Sequence, residues 1–290
     1  MKRLLLLTLS LFAFLGSLFG SVAQVFAQEV AASDAATIVD SRSGQIWRKD
    51  DLAEQILDVK AQYQSLLQDY LIKDKAYRVA LAQNKELNTL ASIEDLLQKS
   101  KQLGLSRDET MSSYFSLLRL HLISTEGIEL SIKNDLLNRL EERRNYFQDH
   151  QQRLSALTER SDVENLLLEF RENNKDTQSL ADAVLAALAV GKLQVVYDRS
   201  QALKLDINSY LEEEGRTEQA AVVRASKETD KSLESAKVKL DEFWAKALQG
   251  YTKQNFSFLA DTYNDLPSEM NPLYVNLSQS LSYLAEILKF

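Results

Sequence analysis

The sequence predicts an all-α protein: an elongated bundle of long antiparallel helices with coiled-coil-like packing, preceded by an N-terminal signal or anchor segment. Three observations predict it. Apolar residues recur at alternating four- and three-residue steps over spans far longer than a strand. Glycine and proline are scarce, 8 and 2 in 290 residues, against average usage of about 7 % and 5 %. Both prolines, Pro267 and Pro272, stand near the end, so no proline breaks the long run before them. Alternating stretches rich in Val, Ile and Thr, which a sheet requires, are rare.

Taken in order, the chain opens on Met1, Lys2 and Arg3, then an apolar run over 4–19, with no further charge until Glu29. A basic start, an apolar middle and small residues beyond it are the marks of a secretory signal. Ala27 before Gln28 gives the preferred cut and Ala23 the second choice. The competing reading is an uncleaved anchor, since 4–27 matches the roughly 20 residues of a membrane span and Lys2 and Arg3 would hold its start in the cytoplasm. Residues 1–27 are therefore assigned to a signal or anchor, and 28–45, rich in Ala, Ser, Asp and Thr, to a flexible spacer. Trp47 is expected to staple the first turns of the helix that follows.

The first helix carries the strongest signal: Leu52, Ile56, Val59, Tyr63, Leu66 and Tyr70, continued by Tyr77, Ala80 and Leu87, keep the 3.5-residue period of a helical seam. Lys73 and Asn84 interrupt it as register-setting or solvent-edge positions, and Asp50 or Asp51 is the expected cap. A short helix is predicted from Ser92 to Gly104, where glycine stops it. Ser106 and Glu109 form a capping box that opens a third helix. Its stripe of Met111, Phe115, Leu118 and Leu122 runs on, one residue out of phase, through Ile132, Leu136, Leu140, Phe147, Leu154 and Leu157. The slip implies one irregular helix or two collinear ones meeting near Ser124 to Gly127. A capping box of Ser161 and Glu164 opens a short helix to about Phe170, and Asn173 to Asp176 is the clearest interior linker.

From Thr177 to about Glu213 the seam is alanine-rich, with Ala181, Val184, Leu188, Gly191, Val195, Ala202 and Leu205, and Glu212 to Gly215 reads as a turn. Thr217 begins a helix with the seam Val222, Ser226, Thr229, Leu233, Ala236, Leu240, Phe243 and Ala247, ending or kinking at Gly250. A helix to Asn264, a turn from Pro267 to Pro272 and a last helix over 273–288 complete the chain. The linear division is an N-terminal helical region, 46–172, and a C-terminal one, 173–290, which together can form one continuous domain. Matching seams within the chain make it a predominantly monomeric body.

Composition narrows the function. There is no cysteine, which excludes disulfides, thiolate metal sites, thiol nucleophiles and a cysteine-borne lipid, and favours a bacterial exported protein over a secreted eukaryotic one. The formal charge of −8 falls to −10 once Lys2 and Arg3 leave with the signal. Such a surface opposes binding to nucleic acid or anionic lipid, so any membrane contact comes only through an uncleaved N-terminal segment.

Residues able to carry chemistry are few. His121 and His150, the only histidines, lack a third ligand at helical spacing, so no metal site is assigned. His150 falls on the seam between Phe147 and Leu154 and reads as a core-edge ring. His121, near Arg119 and Glu126, has no nucleophile to serve. Glu141, Glu142 and Glu212 to Glu214 are adjacent carboxylates on helix surfaces, not an acid and base facing each other across a cleft, and Arg139, Arg143 and Arg144 read as their surface partners. Glycine-rich phosphate loops, nucleophile elbows and zinc-protease motifs are missing. Asn255 and Asn276 begin acceptor triplets for N-glycosylation, and aromatics gather towards the C-terminus, from Tyr251 to Tyr283. No catalytic, cofactor-binding or metal residue is assigned. The expectation is an exported, non-enzymatic helical protein of the bacterial cell envelope, facing outside, that acts as a structural or interaction scaffold for an unidentified protein or envelope component. The alternative is an extracytoplasmic helical-bundle sensor or ligand-binding module.

Overall fold

A computed structural model describes residues 37–39, 46–252 and 257–289. The signal or anchor over 1–27 and most of the spacer lie outside the described residues, as do the side chains of Trp47 and of 251–256. The described chain is helical but for one three-residue antiparallel pairing, β1 (Thr37–Val39) with β2 (Ile46–Arg48), in which Ile38 lies opposite Trp47. Eight helices follow among the described residues: α1 (Lys49–Leu87), α2 (Leu90–Ser124), α3 (Leu130–Ala156), α4 (Arg160–Asn173), α5 (Thr177–Glu213), α6 (Ala220–Thr252), α7 (Ser257–Asn264) and α8 (Leu266–Ile287).

The described residues fall into two compact units that interleave along the chain. One comprises those in Met1–Leu117 and Arg143–Gln178, the other those in Leu118–Glu142 and Ser179–Phe290.

In the first unit α1 runs antiparallel to α2. The Thr110 hydroxyl donates to the Leu66 carbonyl, and nearer the turn Ser106 Oγ donates to Asp69 Oδ2 at 2.9 Å. The buried line of α1 is Leu52, Leu67, Tyr70, Asp74, Tyr77 and Ala80, the expected seam with Leu67 sunk deeper than Leu66 and with Leu87 left exposed. Asp50 and Asp51 fall inside the first turn of α1, where they face its positive dipole end. Asn88 takes the left-handed conformation just beyond the helix (φ 45°), which asparagine tolerates better than most residues. Thr89 and Ser92 then form the reciprocal cap of α2: each backbone N–H donates to the other's hydroxyl oxygen, at 3.0 and 3.3 Å.

Gly104 and Ser106 do not break the chain as expected; α2 runs straight through both. A Cβ at Gly104 would lie 2.6 Å from Leu154 Cδ2, so glycine here admits the leucine of α3. Ser106 is buried and bonded to α1, which removes it from any capping role.

The break near Gly127 lies where the phase slip put it, but it reverses the chain, so α2 and α3 are antiparallel rather than collinear. Pairings on either side of the reversal run in opposite order, Asp108 with His150 and Arg119 with Glu141. Gly127 has φ +53° and Gly191 O would stand 2.2 Å from its Cβ, so only glycine fits this turn. The turn belongs to the second unit, where it rests on the buried start of α5: Ala181, Ala183, Val184, Ala186, Ala187, Leu188 and Val190 are all essentially sealed. One 18-residue window within Arg160–Glu213 is long and apolar enough to cross a membrane (mean hydropathy 1.6), yet 61% of it is buried inside the protein, the mark of a core helix.

Beyond Gly191 the buried line of α5 changes phase, to Tyr197, Ser200, Ile207 and Leu211, leaving Leu205 exposed. Ile207 and Leu211 join Val222 and Ala225 of α6 and Leu284 and Ile287 of α8 in one cluster. The α6 seam is as expected from Val222 to Ala247, except that Ser226 is half-buried. Gly250 stands two residues before the end of α6 at Thr252. The predicted turn from Pro267 to Pro272 is corrected: both prolines lie in α8, Pro267 in its first turn and Pro272 inside it. Proline suits the first turn, where N–H groups have no helical partner in any case.

Candidate functional site

The chemistry-bearing side chains of the first unit meet where α2, α3 and α4 converge. The aromatic stack that frames them follows from the heptad spacing. Phe115 and Phe147, both fully buried, meet edge to face at 5.5 Å between centroids, and Phe147 lies 6.1 Å from Phe170 of α4. One turn beyond Phe147, His150 occupies the same stripe and its ring stands 4.9 Å from Phe170. On α2 the corresponding turn supplies Arg107 and Asp108. These are the middle residues of the tetrad that sequence reasoning assigned to a helix start, and their role was missed for that reason.

Asp108 and His150 are both 0% exposed. His150 Nδ1 lies 2.5 Å from Asp108 Oδ2, and its Nε2 lies 3.3 Å from the Leu166 carbonyl oxygen. The other carboxylate oxygen, Oδ1, accepts from Arg107 Nε at 3.0 Å and Nη2 at 2.9 Å. The guanidinium carbon of Arg107 sits 3.2 Å over the Phe170 ring, a cation–π contact that adds to the carboxylate bonds. Every polar atom of the Asp108 and His150 side chains thus has a partner inside the unit, as a buried ionic cluster requires. At the rim Arg153 donates to both Glu169 oxygens, at 2.8 and 2.7 Å, and this bidentate bond holds the Glu169 carboxyl below its usual range.

A second polar row on the same unit joins α1 to α2. Lys73 Nζ donates to Asp69 Oδ2 at 2.5 Å, and with Ser106 it lowers the Asp69 carboxyl. Burial pushes the Tyr63 phenol up to about 12 and the Tyr70 phenol higher still, Asp74 adding to the effect at Tyr70. Asn84, the other interruption of the first seam, accepts from Ser92 Oγ at 3.1 Å.

The remaining residues weighed from sequence are dispersed. His121 is half-buried near the end of α2, its carbonyl accepting from the Thr125 backbone N–H at 3.0 Å and the Thr125 hydroxyl at 2.8 Å. Glu141 pairs with Arg119 at 3.6 Å and Arg139 with Asp135 at 2.8 Å, both on helix flanks. Glu212, Glu213 and Glu214 are exposed around the Gly215 turn. Arg143 donates to the Asn173 carbonyl at the end of α4. Asn276 lies inside α8 with the following Leu277 buried. Among the described residues no group of three His, Asp or Glu side chains is placed to hold a metal ion. Comparison of the chain with protein-family models, with curated proteins and with solved structures finds no match.

Proposed function

We propose that the chain is an exported, non-enzymatic helical protein of the bacterial cell envelope that serves as a structural or protein-interaction scaffold. The observation that carries this reading is the state of the Asp108–His150 pair. General acid–base work needs a group within reach of a substrate proton, whereas Asp108 and His150 are sealed and committed to Arg107 and to the Leu166 carbonyl. Export rests on the basic, then apolar, opening of the sequence and on the absence of cysteine.

The test is to express the full chain in a bacterium and recover it by fraction. Recovery outside the cytoplasm, with Gln28 as the first residue, supports export with cleavage. Cytoplasmic retention with Met1 intact overturns export. A hydrolase activity of the purified protein that single substitutions abolish overturns the non-enzymatic reading, and a small molecule that raises its melting temperature transfers the proposal to the sensor class.

A further inference from the structure

Both hydrogen-bonding atoms of the His150 ring face atoms that accept. Nδ1 meets a carboxyl oxygen and Nε2 meets a backbone carbonyl, which has no proton to give. Arg107 fills the remaining carboxyl oxygen with two N–H donors. Making both ring bonds at once therefore takes two protons shared between Asp108 and His150, whether as imidazolium beside carboxylate or as neutral ring beside carboxylic acid. With one proton fewer, either Nδ1 and Oδ2 or Nε2 and the Leu166 oxygen confront each other as two acceptors, in a place water does not reach.

We propose that Asp108 and His150 form a proton-held clasp that docks α4 onto α2 and α3, and that loss of the second proton releases α4. The Leu166 carbonyl is the clasp's only hydrogen-bond partner on α4, and Phe170 carries the rest of the contact, under Arg107 and against the His150 ring. The charged and titratable groups around the pair are Arg107 on α2, Tyr146 and Arg153 on α3, Glu169 on α4 and Tyr70 on α1, on which Arg107 acts. Arg153 and Glu169 neutralise each other at the rim, and both tyrosines are held as neutral phenols. Asp108 and His150 are the fully sealed members of this group, both 0% exposed.

The experiment follows the full-length protein, labelled with ¹⁵N-histidine and ¹³C-aspartate, through a rising pH series. Two histidines keep the ring spectrum simple, and ring ¹⁵N with carboxyl ¹³C shifts count the protons on the pair. Amide exchange across 163–173, corrected for intrinsic rates, reports docking of α4. The expected result is that loss of the second proton coincides with a fall in α4 protection of about tenfold or more, while α2 amides keep theirs. Asp108→Asn is the deciding variant. Its amide oxygen still accepts from Arg107 and its NH₂ donates to Nδ1, so a ring with one proton fills both bonds and the coupling disappears. A pair that holds one proton while α4 is docked, α4 protection unchanged after the second proton leaves, or coupling that persists in Asp108→Asn each overturns the proposal.

Discussion

Two glycines separate the conformational from the steric need for a missing side chain. Gly127 and Gly215 both sit at positive φ, +53° and +64°, but a Cβ at Gly127 meets Gly191 O at 2.2 Å whereas nothing lies within 4 Å of one at Gly215. Gly215→Ala should cost only the left-handed penalty of roughly 1–2 kcal/mol. Gly127→Ala carries that same penalty and must also push the α2–α3 turn off α5, so its total should reach about 3 kcal/mol or more. Urea denaturation of the two variants side by side checks this, and equal losses would refute the close approach. Sequence reasoning took Gly191 as part of a seam and Gly104, Gly127, Gly215 and Gly250 as breaks or irregularities. The reading as a break holds at Gly127 and Gly215. Gly104, which lies against a leucine, is carried within a helix, because a local signal does not reveal which distant atom a glycine makes room for.

The ends of α2, α3 and α4 are each closed by a cation reaching across from another helix. Lys133 Nζ donates to the Ile123 and Thr125 carbonyls at the end of α2, at 3.1 and 2.8 Å. Lys101 does the same for Ser155 and Leu157 at the end of α3, at 2.9 and 2.6 Å, and Arg143 for Asn173 at the end of α4. Such groups satisfy orphan carbonyls and complement the negative end of the helix dipole. Lys101→Met keeps the aliphatic stem and removes only this cap, so it should cost about 1 kcal/mol and raise amide exchange over 152–157. Unchanged exchange there would remove the cap from the account. The capping residues could not be found from sequence, since Lys101 stands 54 residues from Ser155. The local boxes that sequence did offer were in part illusory. Ser161 and Glu164 fail to close theirs because α4 already begins at Arg160, with Glu159 as its cap residue, so Ser161 stands inside the first turn, and the box at Ser106 lies inside α2. Helix existence was legible because the heptad stripes are long. α5 begins and ends where its stripe and flanking linkers place it, and Met111 to Leu122 and Ile132 to Leu154 are buried as their spacing requires.

At the scale of the whole molecule, the same stripes do not say which helices share a unit. The first unit takes its members from both sides of the α2–α3 turn, leaving the turn itself to the second, and seams of equal length and similar apolarity carry no address. What the first unit does acquire is a set of phenols enclosed along one seam. Tyr70 and Tyr77 are buried on α1, and Tyr63 lies 5.4 Å from the buried Tyr114. Burial raises the phenols of Tyr63, Tyr70, Tyr77 and Tyr146, that of Tyr63 to about 12 from an ordinary 10.0. The unfolded chain ionises its tyrosines near 10, so between there and about 12 the folded unit binds more protons than the unfolded one. Stability that is fully present below pH 10 must then fall as pH rises through this interval. Far-ultraviolet circular dichroism in urea, at steps from pH 9 to pH 12, should show the unfolding transition moving steadily to lower denaturant. Tyr63→Phe removes one of the titrating groups while keeping the ring that packs on Tyr114, so its transition should shift less per pH step than that of the wild type. An equal shift in the variant would mean that the Tyr63 ring is open to water and that the α1 seam is looser than its burial implies.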